Sequence, residues 1–139
     1  MKILSNLRTG TTDIAELAAA LDIPVVDGLQ HQGDVSVIPA AFPSIRDYTT
    51  PTKTVPRAGV AVVRGESGGN THLLLADGPV LFDAKPVSPT DLTLGSLMVP
   101  EGATAWLDHP EHGNSGIAPG EYVLRRKREM ADELRVVAD

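Results

Sequence analysis

The chain of 139 residues contains no cysteine. That excludes disulfides, thiolate metal sites and cysteine nucleophiles. Aromatic residues make up only 4% of it, so a core must be built from Val, Leu, Ile and Ala. No apolar run approaches the roughly 18 residues that a membrane-spanning helix needs. Positive charge is also in short supply: 12 Lys and Arg face 18 Asp and Glu, giving a net charge of −6. A protein gripping nucleic acid through a basic surface is therefore not expected. The start, Met1-Lys2-Ile3-Leu4-Ser5-Asn6-Leu7-Arg8, lacks the apolar centre of a signal peptide. The expectation is no nucleic acid, no membrane, and a cytoplasmic location or an assembled particle.

What is abundant is glycine and proline, 13 and 11 residues respectively. Such a composition favours short strands and many turns over helix. The length fits a single domain, 1–139, large enough to bury a core without metal or disulfide. The spacing predicts one helix at 12–21. Thr12 caps it, Asp13 and Glu16 occupy its first turn, and Ile14, Leu17, Ala18 and Leu21 form one stripe. Pro24 then closes it.

Gly33 to Pro39 reads as a strand with Val35 and Val37 on one face. Residues 39–58 carry Pro39, Pro43, Pro51 and Pro56 among several threonines, and read as a long loop or arm. Within it Phe42, Ile45 and Tyr48 recur every third residue and are candidate partner contacts. The β core is expected over 59–128. Gly59–Arg64 and Asn70–Ala76 flank a Gly-rich turn as a hairpin. Further strands are expected at Val80–Phe82, Leu92–Leu94 with Ser96–Val99, Ala103–Leu107, and Tyr122 to about Arg128. Between the last two, His109 to Gly120 reads as a polar loop. The fold class expected is mainly β: a compact barrel, roll or sandwich of short antiparallel strands with one N-terminal helix.

Three histidines lie in that core, His72 on a strand and His109 and His112 on the loop. Neutral imidazoles in such a set could hold a divalent metal, with Glu111 or Asp108 adding an oxygen. The plainer reading is one half-buried strand histidine and two solvated ones. Arg125-Arg126-Lys127-Arg128 is the one basic cluster. On a strand only alternate members share a face, and Glu129, Asp132 and Glu133 follow, so a solvated edge is expected. Gly65-Glu66-Ser67-Gly68-Gly69 has neither the Lys-Ser/Thr ending of a phosphate loop nor nucleophile-elbow spacing.

Gly65 to His72, and Gly95 to Gly102, resemble the two cupin motifs in their turns. In the first, Asn70 and His72 stand where cupins place two histidines. In the second, Ala105 stands where another ligand would follow. The resemblance implies a degenerate, cupin-like barrel. The run His109-Pro110-Glu111-His112, with Pro119-Gly120-Glu121-Tyr122 and Arg126-Lys127-Arg128-Glu129 after it, resembles small β-rich bacterial proteins that carry an H-x-x-H loop before a P-G-x-Y strand. It implies no particular chemistry. The function expected is a non-catalytic binding or assembly module without a cofactor, a homo-oligomer such as a virion or shell component. The alternative is a metal-binding cupin-like barrel using His72, His109 and His112.

Overall fold

The computed structural model describes residues 23–63, 71–85, 92–110 and 113–126. These hold ten strands: β1 (Val25–Val26), β2 (Gln30–Gln32), β3 (Val35–Pro39), β4 (Val60–Val63), β5 (His72–Asp77), β6 (Leu81–Ala84), β7 (Thr93–Val99), β8 (Thr104–His109), β9 (Gly113–Ile117) and β10 (Gly120–Arg126). No helix occurs among the described residues, and the helix expected at 12–21 lies outside them.

The strands form two five-stranded sheets. Sheet A runs β1-β9-β8-β5-β4 and sheet B runs β2-β3-β10-β7-β6. All pairs are antiparallel except β1 with β9. Of the three β architectures expected from sequence, the barrel is excluded: both sheets keep their edges, and the molecule is a sandwich. Side chains alternate across each strand. Val35 and Val37 of β3, Leu97 of β7 and Tyr122 and Leu124 of β10 meet Leu74 of β5, Leu107 of β8 and Ile117 of β9, all at most 2% exposed. Each such aliphatic side chain stabilises the fold by about 1.5–3 kcal/mol on burial.

Local sequence accounts for much of this. The β4–β5 hairpin forms where the apolar alternation predicts it, with Val60 opposite Leu74 and Ala61 opposite Leu73. Between β2 and β3 only Gly33 and Asp34 turn the chain, because Gln32 pairs with Val35. Gly33 supplies the positive φ, 57°, that so short a hairpin needs. Strand β9 departs from the sequence reading. Gly113-Asn114-Ser115-Gly116-Ile117 has the composition of a loop, yet it pairs with β8 on one side and β1 on the other. His109 is accordingly the last residue of β8 and not part of a loop.

Residues 40–58 form a strap across the outward face of sheet B. Asp47 pairs with Arg125 of β10 at 3.1 Å and accepts the Thr93 hydroxyl of β7. The Thr49 amide donates to Ser96 Oγ. The Thr52 and Lys53 amides then donate to Asp83 of β6 at 3.0 and 2.9 Å. Burial pushes the Asp47 carboxyl up, but Thr93 and Arg125 outweigh it and hold the group below the usual carboxylate range. The amides of Thr52 and Lys53 do the same for Asp83. A depressed folded-state pKa stabilises above the unfolded value, about 3.9, and that stabilisation is lost as pH falls through the folded one. The strap is therefore expected to loosen below about pH 4. Hydrogen exchange at the Thr52 and Lys53 amides, corrected for intrinsic rate, should speed up between pH 5 and pH 3. In Asp47→Asn/Asp83→Asn it should be fast at both.

Candidate functional site

At the end of the sandwich marked by the β2–β3 turn, the space between the sheets is polar. His72 opens β5 with the parity of Leu74, and His109 closes β8 with the parity of Leu107, so both rings face inward. One step from the Leu73–Asp108 pair, the two imidazoles lie opposite each other. Their centroids are 4.3 Å apart and their planes tilted by 40°. His72 is 1% and His109 3% exposed.

Gln32 and Asp34, which no motif in the sequence marks, complete the cluster from sheet B. Gln32 is buried, and its amide nitrogen donates toward Leu107 O at 3.0 Å, Gly113 O at 3.2 Å and Ser115 Oγ at 2.9 Å. That orientation turns Oε1 toward His72 Nδ1, 3.0 Å away, so Nδ1–H is the donor. On the other side of the ring, Nε2 lies 3.1 Å from Asp34 Oδ1 at the tip of the two-residue turn. Doubly protonated, the ring is a cation paired with Asp34. Singly protonated, it aims its Nε2 lone pair the same way. Gln32 thus fixes the ring, the role that an outer hydrogen-bond partner plays for a metal-binding histidine.

The structure brings His72 and His109 together; His112 lies outside the described residues, as does Glu111. Asp108 is buried, but alternation puts it on the face opposite His109. Among the described residues no three His, Asp or Glu side chains converge as a metal site requires. The signal that could have found the cluster is weak: a polar Gln at an inward position, two residues before an Asp at a hairpin tip.

The three partner-contact candidates separate. Phe42 is 38% exposed, whereas Ile45 is buried. Tyr48 is half-buried with its phenol beside Glu121. Burial first, and then the Glu121 carboxylate, push that phenol well above the usual range. Exposed with Phe42 are Val25, at 49%, and Leu29, at 45%. Between the segments that carry Val25, Leu29 and Phe42 lies a hollow of ≈ 250 Å³ lined by Asp27, Pro39, Ala40, Glu121 and Tyr122. It is smaller than the roughly 300–1,000 Å³ of pockets for organic ligands.

The fold and these features define a two-sheet β-sandwich with a polar cluster at one end and an apolar-fringed hollow at the other. No helix among the described residues is long and apolar enough to cross a membrane. Residues 31–127 match a family described as a domain of unknown function (DUF8820), and the chain belongs to that family. No curated protein and no solved structure matches it.

Proposed function

We propose that this protein is a non-catalytic β-sandwich module that works by self-association, as a structural component of an oligomer or shell. The observation that carries the reading is the exposure of Val25, Leu29 and Phe42, which flank the segments, Asp27 and Pro39 to Ala41, that line the hollow at one end of the sandwich. They are the large hydrophobics exposed among the described residues. Grouped exposed apolar side chains with a polar rim, here Asp27 and Glu121, mark protein contact surfaces. The sheet edges point the same way, because each is blunted against strand pairing. Strand β1 has two residues and β2 three, β4 is bulged between Ala61 and Val63, and the strap runs along β6. Short, bulged or covered edges disfavour direct edge-to-edge association, which leaves side chains at the sandwich end, or exchange of the strap that covers β6, to make the contact.

Light scattering across a concentration series tests this. The wild type should form a defined oligomer. Leu29→Ser/Phe42→Ser should weaken it at least tenfold, about 1.4 kcal/mol. A wild type that stays a monodisperse monomer at high concentration would sink the reading.

A second reading is supported by the 4.3 Å contact between the two imidazoles. His72 and His109, joined by His112, would hold a divalent metal, with Gln32 orienting His72. Elemental analysis of the purified protein should then find about one zinc, nickel or iron per chain. His72→Ala and His112→Ala should each abolish it. Metal-free protein that takes up none of the three ions would end this reading.

A further inference from the structure

The strap ends as a strand. After crossing β10, β7 and β6 it turns to run along β6. The Phe82 amide donates to Lys53 O at 2.8 Å, and the Val55 amide donates to Val80 O at 2.9 Å. Thr54 stands opposite Leu81 in an antiparallel bridge. Three more bonds reinforce the docking, since Asp83 takes the Thr52 and Lys53 amides and the Thr52 hydroxyl. Strand β6 therefore presents an acceptor edge, and residues 52–55 are a short donated strand that fills it.

Every anchor named here joins the strap to the sheet. The same set would be offered, bond for bond, by an identical sheet in a second copy. The anchors around Asp83 are solvent-exposed polar bonds, whereas Val55 is 7% exposed within the hydrophobic core and has to be buried again on whichever sheet the segment docks. Pro51 and Pro56 bracket the donated segment. They fix its length and lower the entropy it loses on docking to either sheet. Exchange of an identical element between protomers is a low-cost route to an oligomer, because the new interface repeats contacts that already exist.

We propose that the β6 edge is a strand-acceptor site for residues 52–55 of a second copy, and that copies associate by reciprocal strap exchange. This rests on the self-association reading and assigns it a partner segment and a seat.

The absence of cysteine makes a direct test available. Thr54 and Leu81 form a pair flanked by the two backbone bonds. This is the closer of the two antiparallel pair types, and its Cβ atoms are within disulfide reach. Thr54→Cys and Leu81→Cys are made as separate single variants, mixed under refolding conditions and oxidised. Strap exchange predicts a disulfide-linked heterodimer whose yield rises with concentration. It should exceed by roughly tenfold the yield from Thr54→Cys mixed with Ala84→Cys, because a seated strap holds its thiol at high effective concentration. Should Leu81→Cys fail to fold, intermolecular NOEs between Thr54 and Leu81 in a refolded mixture of differently labelled wild-type copies probe the same seat. A wild type that oligomerises by light scattering while the cysteine pair gives only the collision yield, or the mixture no such NOE, would overturn strap exchange and leave self-association standing. A monomeric wild type without linked heterodimer would overturn both.

Discussion

Replacing Gln32 by alanine is expected to lower the unfolding free energy by about 3 kcal/mol, read as a shifted urea midpoint at unchanged slope. Gln32 is 5% exposed and ties the edge of sheet B to three different strands of sheet A. Its amide nitrogen faces Leu107 O, Gly113 O and Ser115 Oγ, and its oxygen accepts from His72. Alanine removes a donor and an acceptor together and leaves their partners buried, at about 1–3 kcal/mol for each group left unsatisfied. Gln32→Glu separates this cause from mere loss of volume. It keeps the length and the contact to His72, but turns a second oxygen toward three oxygens. It should therefore destabilise as much as alanine does. If Gln32→Glu were neutral, the orientation assigned to the amide, and with it the donor role of His72 Nδ1, would be wrong.

Gly95→Ala should cost a similar amount, about 2–4 kcal/mol, for a purely steric reason. Gly95 lies on β7 between Ala84 of β6 and Leu124 of β10. A Cβ added there would sit 2.5 Å from the Asp83 carbonyl oxygen and 2.6 Å from the Phe82 ring. The carbonyl is backbone held in a sheet and cannot rotate away. Relief requires β6 to shift, and β6 carries the strap. The prediction is therefore double. Thermal or urea unfolding should show the stability loss, and the Thr52 and Lys53 amides should exchange faster than the global loss alone explains. Unchanged stability would mean that β6 and β7 pack more loosely here than the distances state.

Periodicity made part of this architecture legible. Val35 and Val37, the valines of β4 and the leucines of β5 alternate or cluster as half-buried strands must, and glycine or proline stands at the turns between them. Strand β9 was not legible, because Gly113, Asn114, Ser115 and Gly116 carry no strand propensity. They are a strand because β8 and β1 supply hydrogen-bond partners on both sides, and that is a property of neighbours. The strap was visible only as proline-rich, aperiodic chain. Its anchors, Asp83, Ser96 and Arg125, lie 30 to 78 residues away, and no local pattern can announce them. Phe42, Ile45 and Tyr48, three residues apart, are candidate partner contacts by sequence, but this stretch is not helical, so the spacing carries no common direction. Ile45 turns inward while Phe42 stays in solvent.

The three histidines with which the sequence reading framed a site divide in the same way. Composition alone determined that this is a cysteine-free, turn-rich, acidic chain with an aliphatic core, and alternation determined most of its strands. Only the tertiary structure decided that His72 meets His109 across the β5–β8 ladder. It also decided that Gln32 and Asp34 reach the same ring from the other sheet, 40 and 38 residues away. The reason is physical. Strand propensity acts over two to four residues and is written in the local sequence. The partners of a buried ring are set by sheet order and register, which only the packing of the whole chain selects.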